Sequence, residues 1–257
     1  FEQALPMIEK LGDNEIKVNM LLSIGNLLID ERNFKEGVRK ASQAIEIAKQ
    51  YNLPERENIE NIAFAVQYGN FQHLFKEAQK KLKNQEFGAA LNEAQQCLEL
   101  AEILGNVSWH SQILSMLGQI KAYHYDYENG MQDLKRAFAL AQENRLDEVE
   151  ELEQVISVVN ENEASRLYNK AYSAAEERKL EEAIELSQKA YEFQCSVNLK
   201  KAQPATLCLL GQLLFAYNQP EEGLSKLQQA LNIAEQLEAE EAISQLKHII
   251  SIFTKGI

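Results

Sequence analysis

Large and small apolar residues recur along this chain in a single spacing. Leu21, Gly25, Phe34, Gly37, Ala41, Ala44 and Ile45 set it, and Leu74, Ala78, Phe87, Ala90, Ala94, Cys97 and Leu98 repeat it. A third copy runs Leu114, Gly118, Tyr127, Gly130, Leu134, Ala137, Phe138; a fourth runs Leu167, Ala171, Leu180, Ala183, Ser187, Ala190, Tyr191. The fifth is Leu207, Gly211, Pro220, Gly223, Leu227, Ala230, Leu231. Each copy predicts two amphipathic helices, because its apolar positions fall three, four or seven apart. Gly or Ala at the small sites lets two helix axes approach to the close end of about 8–10 Å. Turn-like stretches such as Asp30 to Asn33 and Tyr217 to Pro220 separate the two helices. The unit is a helical hairpin.

A second period overlies the first. The leading leucines stand 53, 40, 53 and 40 residues apart, so the true repeat is 93 residues. The small residues alternate with it: copies one, three and five carry Gly at both sites, and copies two and four carry Ala. Hairpins are expected near 18–53, 71–106, 111–146, 164–199 and 204–239. Extra helical segments fall at 54–70 and 147–163, and a capping helix covers 240–257. In the first extra segment Ile59, Ile62, Ala63 and Val66 form a stripe about 100° around the helix from that of Leu74, Phe75, Ala78 and Leu82. This allows either one long helix with two packing faces or a break near Gly69 and, in the second, near Asn160. Ala4-Leu5 and Leu11-Gly12 align with Cys97-Leu98 and Leu104-Gly105, so residues 1–17 read as the remnant of an earlier repeat.

These residues resemble the tetratricopeptide repeat family, whose pattern has Leu-Gly, an aromatic and later Ala sites. Leu117-Gly118 and Leu210-Gly211 keep the first of these, and Ile24-Gly25 is close to it. The family's early Trp is Leu in all five copies, its closing Pro is absent, and the spacing is nearer 40 residues than the common 34. The resemblance is to the longer variant and covers nearly the whole chain. It implies an all-α fold: one right-handed α-solenoid of stacked hairpins over residues 1–257, with a groove along its concave face.

Composition narrows the function. With 11 Gly and 4 Pro in 257 residues, a many-stranded β protein is excluded. Thirty-nine acidic against 26 basic side chains give a net charge of −13, which disfavours contact with nucleic acid. No apolar run approaches the roughly 20 residues that span a bilayer. Three distant cysteines, Cys97, Cys195 and Cys208, fit neither a disulfide framework nor a metal knuckle and suggest a reducing, cytoplasmic setting. His73, His110, His124 and His248 lack companion ligands at helical spacing, and no catalytic or phosphate-binding motif is found. No enzyme, metal or cofactor is expected.

The resemblance places the residue after the small site on the groove: Asn26, Gln79, Gln119, Tyr172 and Gln212. Four of the five are amides, each with a donor and an acceptor to offer an extended peptide backbone. Lys76, Lys83, Tyr123, Tyr168 and Asn169 lie near that row by helical phase, and so does Phe215. The lysine and asparagine set with which some family members clamp a C-terminal carboxylate does not align, since Leu22 stands at one lysine position. The expected function is a non-enzymatic scaffold that binds a protein or extended peptide. The alternative is a peptide-responsive sensory or regulatory part of a larger signalling or transcription-regulating protein. Self-association is a weaker third reading.

Overall fold

The computed structural model describes residues 12–31, 33–54 and 56–255. Most of the expected N-terminal remnant, residues 1–11, lies outside the described residues, as do Arg32 in the first turn and the side chain of Val66. Eleven α-helices and no strand occur among the described residues. They are α1 (Asn14–Asp30), α2 (Phe34–Gln50), α3 (Arg56–Lys83), α4 (Phe87–Leu104), α5 (Val107–His124) and α6 (Tyr127–Glu143). These are followed by α7 (Val149–Glu176), α8 (Leu180–Ser196), α9 (Gln203–Ala216), α10 (Pro220–Gln236) and α11 (Glu240–Lys255), with a short 3-10 turn at Lys200–Ala202 before α9. The fold is all-α and built from helices packed in consecutive pairs. By packing, the chain divides into two compact units, 1–153 and 154–257.

The recurrent positions of the second helix in each hairpin sit where helices meet. Ala41, Ala44, Ala94, Cys97, Leu134 and Ala137 are fully buried in unit 1, and Ala183, Ser187, Ala190, Leu227 and Ala230 in unit 2. At Gly118 an added Cβ would stand 2.8 Å from the Gly130 carbonyl oxygen and 2.7 Å from Leu134 Cγ. Only glycine fits so close a crossing, and α5 and α6 owe their contact to it. The hairpin of α3 and α4 carries Ala78 and Ala90 at the same two sites.

Neither extra segment breaks: α3 and α7 are continuous helices of 28 residues. In α3 the first half turns Ile59 and Ala63 into the cluster of Val18, Leu21, Ala44 and Ala48, while Ile62 stays exposed. Its second half turns Phe71, Leu74 and Ala78 into a separate cluster with Ala94, Cys97, Ile113 and Leu117. One helix therefore serves two cores, because its two stripes lie on different faces.

Helix ends are closed by two devices. Asp13, Asn106 and Asp126 cap α1, α5 and α6 through their side chains, accepting from backbone N–H groups of the first turn. At the C-terminal ends of α2 to α4 and α6 to α10 the chain turns through a left-handed residue: Asn52, Gln85, Gly105, Arg145, Arg178, Asn198, Asn218 and Glu238 all have φ between 46° and 64°. The following N–H then reaches back to the last helical turn, as in Glu86 N to Lys81 O at 2.9 Å and Leu199 N to Gln194 O at 2.8 Å.

Candidate peptide-binding cavities

Unit 1 holds a cavity of about 470 Å³ between α3, α5 and the start of α7. Three residues expected on the groove, Gln79, Lys83 and Gln119, line it together. Gln79 and Lys83 are exposed; Gln119 is half-buried and its amide N–H is directed to Ser115, 3.4 Å from both O and Oγ. Phe75, Leu82, Met116 and Leu152 supply the apolar wall. The cavity thus pairs an apolar surface with amide and hydroxyl groups, the mixture that an extended peptide needs.

Sequence reasoning did not identify Ser111, Gln112, Ser115 and Glu148, which line the same cavity. Glu148 Oε1 accepts from Ser108 Oγ at 2.7 Å and from Gln112 Nε2 at 2.9 Å. Burial by itself raises the Glu148 pKa, but the hydrogen bonds from Gln112, Ser108 and its own backbone outweigh it and hold the carboxyl below its ordinary value. Ser108, Gln112, Ser115 and Gln119 are four, three and four apart on α5. They form a polar stripe that could have been read from the sequence by the same helical phase as the amide row.

Unit 2 holds two cavities of about 910 and 570 Å³, both bordered by Tyr168. Asn169 lines the larger; Tyr172 and Gln212 line the smaller. The Tyr168 and Tyr172 rings stack with centroids 6.4 Å apart. Burial, then the proximity of Cys208 and Tyr172, raises the Tyr168 pKa, so the phenol stays protonated and can donate. Gln212 directs its amide to Cys208 Sγ at 3.6 Å. The larger cavity also exposes a feature that the repeat pattern hides. Gln194 is buried, donates from Nε2 to Thr206 Oγ1 at 2.8 Å, and leaves Oε1 without a hydrogen-bond partner.

Asn26, Lys76 and Tyr123 line none of these three cavities; all are exposed. Leu22, at the lysine position of the carboxylate clamp, is buried in the core of unit 1, which removes that position from any ligand. Phe215 stacks on Phe253 at 4.1 Å inside the terminal core of unit 2. Cys97 is fully buried and its thiol is pushed up to about 12 by burial and by Glu93, so it stays protonated as a packing residue. Among the described residues no group of three or more His, Cys, Asp and Glu could hold a metal ion, and no helix is long and apolar enough to cross a membrane.

No protein-family model matches the chain, and no curated protein matches its sequence. Among solved structures, it is similar to a signal-transduction ATPase of the STAND class with a tetratricopeptide repeat sensor from Pyrococcus horikoshii. The identity is 15% over 96% of this chain and 35% of that one, with a TM-score of 0.29. This chain thus spans about a third of the length of that protein. The apo form of RapI is 12% identical over 99% of this chain and 89% of its own, with a TM-score of 0.28. A circular tandem repeat protein is 15% identical over 99% and 74%, with a TM-score of 0.25. Similarities this low establish neither a family nor a ligand.

Proposed function

We propose that the chain is a non-enzymatic binding protein for an extended peptide or a peptide segment of a protein partner, as a scaffold or as the sensory part of a larger chain. The observation that carries this reading is the convergence of Gln79, Lys83 and Gln119 with Gln112, Ser115 and Glu148 around one cavity of about 470 Å³. An extended backbone presents N–H and C=O groups in alternation. Amides answer both, and hydroxyls do the same at shorter reach. Lys83 on one side and Glu148 with Glu151 on the other add charges of both signs that fix the direction of the bound chain. The apolar wall of Phe75, Leu82, Met116 and Leu152 supplies the burial that gives such contacts net affinity.

The test is to pan a displayed random-peptide library on the chain and titrate the enriched peptides against the wild type and the Gln79→Ala/Gln119→Ala variant. Each backbone hydrogen bond lost is worth about 1 kcal/mol, so affinity should fall about tenfold or more with helicity unchanged by circular dichroism. Equal affinities, or no enrichment over a scrambled control, would remove the reading.

A further inference from the structure

We infer that the 910 Å³ cavity of unit 2 is a receptor for the indole side chain of a tryptophan in the bound peptide, with a neighbouring carboxylate held at Lys200 and Lys201. The inference rests on the peptide-binding reading and names the ligand chemistry at a second site.

The argument begins with the 93-residue register. In unit 1, Trp109 stacks flat on Phe71, with centroids 4.2 Å apart and planes at 6°, and Tyr68 leans on the indole at 5.7 Å. At the matching positions of unit 2 stand Ala202, Ala164 and Glu161, and all three line the cavity. Three rings that fill unit 1 are therefore missing from unit 2, and the cavity borders all three of those positions. Its volume lies within the range of about 300–1,000 Å³ usual for ligand sites.

At two buried positions of this register the side chain is polar only in unit 2. Gln194 and Thr206, 1% and 0% exposed, stand where unit 1 has Ala101 and Ile113. The Gln194 Oε1 lacks a donor and is closed to solvent in this conformation, an arrangement that is costly without a ligand, and a turn of the amide at the cavity border brings it to an entering indole N–H. Leucine or phenylalanine could fill the volume but would leave that oxygen unpaired. Lys200 and Lys201 border the same cavity, at the register of Val107 and Ser108. Both are exposed, and neither has an ion pair among the described residues. Two unpaired cations in a chain of net charge −13 favour an anionic group on the ligand.

The experiment titrates the isotope-labelled 257-residue chain with N-acetyl-tryptophan, N-acetyl-tryptophanamide and N-acetyl-leucine, followed by amide chemical shifts. Saturable shifts are expected at Ala164, Tyr168, Ala202 and Ala205, with the tryptophan acid tightest, its amide several-fold weaker and the leucine acid at least tenfold weaker. Ala164→Phe/Ala202→Trp, which restores two of the rings of unit 1, should abolish the shifts. Gln194→Leu should weaken the tryptophan acid about tenfold, the value of one buried hydrogen bond. If the ring-restoring variant does not fold, the surface variant Lys200→Glu/Lys201→Glu decides, and it should erase the preference for the acid over the amide.

Equal binding of leucine and tryptophan, unchanged binding in a folded ring-restored variant, or an acid preference that survives the lysine exchange would each overturn the inference. Gln79 and Gln119 do not border this cavity. Peptides that depend on those two residues but show no tryptophan effect would therefore overturn this site alone and leave the broader reading standing.

Discussion

Unit 1 is closed by side chains that unit 2 does without. The stack of Phe71 and Trp109 becomes Ala164 and Ala202 one period later. The ion pairs that tie hairpins in unit 1 disappear as well. Lys81 bonds Glu93 between α3 and α4, and Lys121 meets Asp133 at 2.5 Å between α5 and α6. Their matches are Ala174 with Leu186 and Leu214 with Lys226. Both units nonetheless keep the buried small residues of the hairpin crossings, such as Ala94 and Ala137 in one and Ala183 and Ala230 in the other. The difference teaches that the small positions determine the hairpin, while the larger side chains around it are free to vary. At the positions of the Phe71 and Trp109 stack, unit 1 uses that freedom for packing and unit 2 for the border of a cavity.

The largest expected effect tests the packing half of this comparison. Phe71 is 1% exposed and stacks on both Trp109 and Phe75, so Phe71→Ala should destabilise by about 3–5 kcal/mol through lost burial and an unfilled void. Ala164→Gly at the matching place in unit 2 removes a single methyl at the border of the cavity, and should cost only about 1–2 kcal/mol through helix propensity and the lost burial. Urea unfolding followed by circular dichroism measures both. Comparable losses in the two variants would mean that the stack does not distinguish the units.

How much of this was legible follows from what each feature depends on. Periodicity is a property of one helix at a time, so Leu21, Leu74, Leu114 and Leu207 could be placed in the core, and each is buried. The two-faced character of α3 was readable in the 100° offset between its stripes, but its continuity was not. Gly69 permits a break without requiring one, and an added Cβ there would meet nothing within 4 Å. Turns were least legible: of the eight left-handed residues after helix ends, only Gly105 and the asparagines Asn52, Asn198 and Asn218 are residue types that favour the conformation. Gln85, Arg145, Arg178 and Glu238 take it because the backbone bonds of the turn outweigh the local cost. The cavities needed three dimensions. Gln112 with Glu148, and Gln194 with Thr206, are pairs between segments 36 and 12 residues apart that no single-helix pattern brings together.

A middle-sized effect tests the ion pairs. Lys81→Ala leaves Glu93, 7% exposed, without its cation and should cost about 2–3 kcal/mol, toward the lower end for a buried pair because the lysine side chain is still 23% exposed. The double change Lys81→Ala/Glu93→Leu installs the pair that unit 2 carries and should return stability to within about 1 kcal/mol of the original. If the double variant is as unstable as the single one, the hairpin of α3 and α4 depends on its charges in a way that α7 and α8 do not. A difference of backbone spacing would then have to be sought between the two.

The smallest effect concerns Glu148 and its match Glu241. Glu148 is held by Ser108 and Gln112, whereas Glu241 is exposed and accepts only from Gln245 on its own helix at 3.4 Å. A carboxylate whose folded pKa is depressed adds stability above its unfolded pKa, about 4.3 for Glu, and loses it as the pH falls through the folded value. Glu148→Gln should therefore lower stability at pH 7 by roughly 0.5–1 kcal/mol, a modest figure because the group is only partly buried. The gap to the wild type should hold down to the carboxylate range and close below about pH 4. Glu241→Gln removes only the contact from Gln245 on the exposed surface and should leave the melting temperature at pH 7 unchanged. A gap for Glu148→Gln that persists at pH 3 would assign its effect to packing, because a protonated Glu148 no longer carries the charge that Ser108 and Gln112 hold.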